Sequence, residues 1–301
     1  MSFTRSIRFT AWWLVVAVLL VVGAGCSTYP KSHVALQRDI EYARIGSHSL
    51  KLDLYTPRVV TKPMPVLVWI HGGAWKSGSK DFCPLAFLAK DGMAVVSIEY
   101  RLSTEAQFPA PLHDCKGAIR WLRANASRLQ IDPDHVGVFG ASAGGHYAAL
   151  LGTTGEMLSM EGDVGGNTGQ SSRVQAVVAF YPPTDLDRLV VKPEWRVSPV
   201  SDVARLIGGP IVDNLDKVAR ANPINYVTPG SAPFFLLHGD RDKLVPVEQS
   251  RLLYAALQKA GVPATLRIIP GKGHAITAPP AVAKEILEFL HQYLGIQVVG
   301  E

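Results

Sequence analysis

The stretch that most constrains this chain is Val136-Gly137-Val138-Phe139-Gly140-Ala141-Ser142-Ala143-Gly144-Gly145-His146. An apolar run ends at Gly140, a serine follows between small residues, and a helix-forming stretch, Tyr147-Ala148-Ala149-Leu150-Leu151, begins directly afterwards. Gly-x-Ser-x-Gly in a strand–turn–helix setting places the serine on a sharp, strained turn with its hydroxyl projecting from the top of a sheet. Gly140 and Gly144 serve that geometry, because strand and helix pass too close for larger side chains. The motif alone recurs by chance, so the weight of Ser142 as a nucleophile depends on the rest of the chain.

The surrounding pattern is that of an α/β fold. Residues 40–45 and 50–55 read as a hairpin around Gly46-Ser47-His48, and Lys51-Leu52-Asp53-Leu54-Tyr55 alternates as if one face were wet. Pro65-Val66-Leu67-Val68-Trp69-Ile70-His71 is continuously apolar, as expected of a strand covered on both faces. Residues 82–91 fit a helix ended by Gly92. Residues 93–99 read as a strand, and 110–126 as a helix with Ala118, Ile119 and Leu122 inside and Asp114 and Lys116 outside. Strands at 174–180, 234–238 and 265–269 alternate with helices at 247–261 and 280–294. The alternation implies a mainly parallel sheet with helices on both faces. Residues 155–172, rich in glycine and lacking a Gly-Lys-Ser/Thr phosphate loop, read as surface loop. Residues 185–230 read as an insertion expected to cap the site.

At 301 residues, 48% hydrophobic and 18% charged, the chain is ample for one such core. Residues 1–25 read as a signal peptide: Arg5 and Arg8 are followed by an unbroken apolar run from Ala11 to Val22 and by Gly23-Ala24-Gly25. The next residue, Cys26, resembles the lipid-modified cysteine of a bacterial lipoprotein, with Gly23 departing from the usual aliphatic residue. Export to the outer membrane or cell surface is expected on that reading, and simple periplasmic or secreted export on the alternative. The only membrane attachment foreseen is the lipid, with residues 26–38 as a tether and 39–296 as the catalytic domain. Removing Arg5 and Arg8 takes the net charge from +5 to +3, and no basic run is interleaved with aromatics, which argues against a nucleic-acid partner. Cys83 and Cys115 either pair as a disulfide after export or stay buried thiols. Neither has metal-ligand spacing.

Three further stretches fall where a serine hydrolase needs them. His71-Gly72-Gly73-Ala74-Trp75 follows a buried strand, and its glycines let backbone N–H groups turn into a site. The N–H groups of Gly73, Ala74 and Ala143 are the candidate oxyanion donors, each worth roughly 10²–10³ in rate. Trp75 walls an acyl pocket or fills the core. His238-Gly239-Asp240-Arg241-Asp242 offers two acids able to orient a histidine, Asp240 and Asp242. Gly271-Lys272-Gly273-His274 presents an imidazole on a glycine-rich loop after the last strand. The order Ser142, acid, His274 is that of α/β-hydrolases, not of chymotrypsin or subtilisin. Among the nine histidines, His71 and His238 end strands and are read as loop stabilisers, while His146 is carried off on the helix.

Together these residues resemble the serine esterases of the α/β-hydrolase superfamily with a His-Gly-Gly-x-Trp motif. The feruloyl/acetylxylan esterase-like group is the nearer match, with the hormone-sensitive-lipase-like carboxylesterases close to it. The resemblance runs from about residue 39 to 296 and includes Glu99-Tyr100-Arg101-Leu102, Phe108-Pro109 and Tyr181-Pro182-Pro183-Thr184-Asp185. Pro182 stands where that group usually has glycine, and Ala74 where the lipase-like group has a third glycine. The resemblance selects Asp242 over Asp240. It implies carboxylic ester hydrolysis with no metal and no organic cofactor, and an acyl-enzyme on Ser142 is the expected intermediate. The short 185–230 insertion, with no large apolar lid, favours short acyl groups, and a surface-anchored location suits acetyl or feruloyl groups on plant polysaccharide alongside small esters. An arylformamidase-type amide hydrolase and a non-catalytic surface lipoprotein on a hydrolase fold are the competing expectations.

Overall fold

The structure is a computed structural model that describes residues 34–190 and 196–295. The expected signal peptide and Cys26 lie outside the described residues. Eight strands, β1 (Val34–Ile45), β2 (His48–Pro57), β3 (Met64–Ile70), β4 (Ala94–Ile98), β5 (Ile131–Ala141), β6 (Ala176–Phe180), β7 (Phe234–Gly239) and β8 (Ala264–Ile269), form one sheet. Their order is β1-β2-β4-β3-β5-β6-β7-β8. β1 and β2 are antiparallel, as are β2 and β4, and every later pairing is parallel.

The apolar run of β3 has the expected cause. Val66, Val68 and Ile70 point into one core, and Leu67 and Trp69 into another on the opposite face. The first core is covered by α1 (Ala110–Ala124), with its short continuation α2 (Ala126–Leu129), and by α3 (Ala143–Thr153). In the 185–230 segment the described helices are α4 (Leu186–Leu189), α5 (Asp202–Ile207) and α6 (Leu215–Arg220). They are followed by α7 (Glu248–Lys259), which joins the first face, and α8 (Pro280–Leu294), which covers the second. The chain crosses from β3 to β4 on one side and returns to β5 on the other. The carboxyl ends of β3 and β5 therefore flank the switch point at which open α/β sheets build their sites.

Several expectations need correction. β1 begins at Val34, so residues 34–38 belong to the sheet and not to a tether. Residues 82–91 yield a 3-10 helix only over Ala86–Asp91, although Gly92 ends it as expected, in a left-handed conformation. The supposedly wet face of residues 51–55 in β2 is mostly dry, with only Lys51 part-exposed and Asp53 and Tyr55 buried. Asp53 is fully buried and its carboxylate lies 2.9 Å from the Lys80 ammonium, which Asp39 and Asp81 also approach.

Asp114 and Lys116 are likewise buried, not outside. Asp114 takes a two-pronged hydrogen bond from the Arg101 guanidinium and another from Arg101 N–H. Lys116 donates to Thr154 O, Glu161 Oε1 and Ser172 Oγ, and Arg120 binds the other oxygen of Glu161. Periodicity places charge in water by default, and here each charge has a buried partner instead. The same contacts tie the 155–172 loop to α1, so only part of that loop is free surface.

Cys83 and Cys115 are free thiols. Cys115 lies in the first core and Cys83 packs against the second, so the sheet separates them. Burial pushes the Cys83 thiol up to about 12.

Candidate active site

Ser142 is the hinge residue between β5 and α3, with φ +56° and ψ −121°. A residue with a Cβ pays about 1–2 kcal/mol for such a left-handed φ. The turn is held by Ser142 N–H donating to Phe180 O at 2.9 Å and by His146 N–H donating to Ser142 O at 2.9 Å. The glycine requirement is literal: a Cβ on Gly140 would lie 2.1 Å from Gly144 O, and one on Gly144 2.0 Å from Ile70 O.

β7 and β8 supply the other two groups. His274 Nε2 is 2.9 Å from Ser142 Oγ, and its Nδ1 is 2.7 Å from Asp242 Oδ2. The carboxylate only accepts, so Nδ1 carries the proton and the Nε2 lone pair faces the hydroxyl. Asp242 Oδ1 accepts from the N–H groups of Leu244 at 2.8 Å and Val245 at 2.9 Å. Burial by itself raises this carboxyl. Hydrogen bonds from His238, His274 and Val245 N–H outweigh it and hold the group well below the ordinary 3.8. Asp240, the competing acid, is exposed and accepts from Gly271 N–H at 2.6 Å, which fixes the turn before His274.

Two residues take a part in the site beyond what the sequence indicates. His238 Nε2 donates to Val245 O at 2.8 Å and lies 3.3 Å from Asp242 Oδ2, while Ser250 Oγ is 2.7 Å from its Nδ1. Its place four residues before Asp242, at a strand end, was the only signal. Tyr181, at the end of β6, lays its ring 4.5 Å from that of His274. The Tyr181-Pro182-Pro183-Thr184-Asp185 turn marks this tyrosine as part of the family pattern, but its contact with His274 is not encoded locally.

The loop after β3 lies against the serine. A Cβ on Gly72 would sit 2.8 Å from Ala141 O and 3.4 Å from Ser142 Cβ. The next three residues, Gly73, Ala74 and Trp75, have φ of +123°, +51° and +60°. Trp75 is a buried core residue, not a pocket wall, and its indole N–H donates to His146 Nδ1 at 3.1 Å. His71 donates from Nδ1 to Gly72 O at 2.8 Å and stacks on Tyr100. Burial pushes its pKa down to about 4, so it remains a neutral spacer. Ala143 opens α3, where no preceding turn supplies an acceptor for its N–H. Among the described residues no group of three or more His, Cys, Asp or Glu side chains is placed to hold a metal ion.

The sequence profile of the BD-FAE family matches residues 52–257. The chain belongs to the BD-FAE family. That match covers the elbow, the loop after β3 and the acid-bearing loop. Esterase LipC of Mycobacterium tuberculosis is 35% identical over 244 residues, covering 77% of this chain and 59% of that protein. The chain spans about three-fifths of the length of the curated relatives it matches. Among solved structures, a truncated carbohydrate esterase from gut microbiota superposes with a TM-score of 0.77 at 30% identity, covering 89% of this chain and 99% of that one. A bifunctional GH43-CE protein of Bacteroides eggerthii gives 0.78 at 34% identity, over 86% of this chain and 38% of that one. These likenesses place this BD-FAE chain on an α/β-hydrolase fold of esterase type.

Proposed function

We propose that the protein is a serine carboxylesterase that hydrolyses short-acyl esters, with acetyl or feruloyl groups on plant polysaccharide as the substrate class. The observation that carries this reading is the unbroken path from Asp242 through His274 to Ser142, at 2.7 and 2.9 Å. His274 takes the hydroxyl proton as Ser142 attacks the ester carbonyl, and Asp242 stabilises the imidazolium that forms. The N–H groups of Gly73, Ala74 and Ala143 receive the developing oxyanion. His274 then protonates the leaving alcohol, and water activated by the same ring releases the acid from the acyl-serine.

The short-acyl assignment is supported by the small described helices of the 185–230 segment, three to six residues each. The polysaccharide assignment draws on the solved relative described as a carbohydrate esterase from gut microbiota. Export as a lipoprotein anchored through Cys26 rests on the sequence pattern and suits a polymeric substrate outside the cell.

Hydrolysis of p-nitrophenyl esters from acetyl to palmitoyl, with acetylated xylan and methyl ferulate alongside, tests the reading. Activity should peak at the short chains and vanish in Ser142→Ala with the fold intact. A peak on long chains overturns the acyl assignment. Failure of a fluorophosphonate probe to label Ser142 overturns the enzyme reading in favour of a binding scaffold. Loss of fatty-acid labelling in Cys26→Ala tests the anchor separately.

A further inference from the structure

The Gly73-Ala74-Trp75 backbone is left-handed at three consecutive residues, two of which carry a Cβ. Such a conformation persists only where its surroundings over-determine it. Part of the support is local: Gly73 O accepts from the N–H groups of Lys76 and Ser77 at 3.1 Å, and Ser103 N–H donates to Trp75 O at 2.7 Å. These bonds fix the ends of the segment. The remaining support comes from the Trp75 side chain and one histidine that the triad does not use.

His146 is fully buried on α3, one turn after Ser142. Trp75 Nε1 lies 3.1 Å from its Nδ1, and its Nε2 lies 2.7 Å from Ala221 O. An indole N–H can only donate and a carbonyl can only accept. The ring is therefore neutral with its proton on Nε2, and Trp75 Nε1, both His146 nitrogens and Ala221 O are satisfied in one arrangement. Burial, which pushes this imidazole down to about 4, keeps it neutral at physiological pH. With both nitrogens engaged the ring has no lone pair for chemistry, while His274 already faces Ser142.

We propose that His146 is a positioning residue. It clamps Trp75 between the nucleophile helix and the Ala221 carbonyl, and so holds the Gly73–Ala74 N–H groups in place for the transition state. The inference rests on the reading of those groups as oxyanion donors. It makes the 185–230 segment, through Ala221, part of the scaffold of the catalytic loop.

The test is steady-state hydrolysis of p-nitrophenyl acetate by His146→Phe, Trp75→Phe, the double variant and His146→Gln, with thermal melting of each. Each single Phe variant should lose roughly 10- to 100-fold in kcat, part of what an oxyanion donor is worth, with KM within about threefold. The double variant should be no worse than the singles, because both remove one interaction. His146→Gln, which keeps an acceptor and a donor, should recover most of the rate. Singles within twofold of wild type, or losses that multiply in the double variant, overturn the proposal. Should His146→Phe fail to fold, Trp75→Phe and His146→Gln carry the test. Wild-type turnover that does not depend on Ser142 overturns the underlying esterase reading instead, and the positioning role with it.

Discussion

His238 Nε2 lies 3.3 Å from the same Asp242 oxygen that His274 Nδ1 reaches at 2.7 Å. One carboxylate oxygen thus sits between two imidazoles, one buried and one facing the nucleophile. His238→Phe removes this support and leaves Ser250 and Val245 O short of a partner. We expect about tenfold lower kcat/KM and a stability loss of about 1–3 kcal/mol. Urea unfolding and ester hydrolysis measured on the same preparation check both, and an unchanged rate would show that Asp242 is held by its backbone donors alone.

Asp242 and Asp240 should separate sharply. Asp242→Asn cannot hold the His274 tautomer that presents a lone pair to Ser142, and kcat should fall roughly 10³–10⁴-fold. Asp240→Asn retains an oxygen able to accept from Gly271 N–H, so its kcat should stay within about threefold. Parallel kinetics decide the matter, and the reverse ranking would reassign the acid.

His71 and His146 should shape the acid limb of stability. Burial holds both at about 4, against 6.5 for the free side chain. Above pH 6.5 both are neutral folded and unfolded, so they add no pH dependence. As pH falls from 6.5 towards 4, the unfolded chain binds the extra protons, and stability drops by about 1.4 kcal/mol per pH unit for each histidine. Denaturant unfolding at successive pH values should show this slope, and His146→Gln should reduce it by one proton. Asp242 adds a further loss lower down: its folded value is depressed, so its contribution is present above about 4 and disappears below.

Glu161 is the single carboxylate shared by the buried cations Lys116 and Arg120, at 2.7 and 2.9 Å. Glu161→Gln leaves both charges without a counter-ion and should cost about 3–5 kcal/mol. Lys116→Met removes a charge together with its desolvation penalty and should cost much less. Chemical denaturation of the two variants compares them directly.

The parts of the site with local chemistry were legible in the sequence: glycines around Ser142, a glycine loop before His274, an acid loop after a strand. What was not legible depends on contacts between distant elements. Asp114 and Lys116 read as solvent-facing because periodicity cannot see Arg101 or Glu161 approaching from elsewhere. The start of β1 was missed because it is an edge strand: Leu36, Gln37, Arg38 and Asp39 are all exposed, so no apolar alternation marks it. The contacts of Tyr181 with His274 and of His238 with Asp242 are not legible locally, because they exist only once β6, β7 and β8 lie side by side.

That side-by-side arrangement also divides the molecule into a working edge and an idle one. Ser142, Asp242, His274 and the Gly72–Trp75 loop all follow the carboxyl ends of strands, whereas the turn at Gly261 enters β8 from the other end, with nothing within 4 Å of where a Cβ would lie. A surface linker or a guest domain inserted at the Gly261 turn would sit at the opposite end of the strands from Ser142. That turn is a handle for immobilisation that would leave the Ser142 edge of the sheet facing outward.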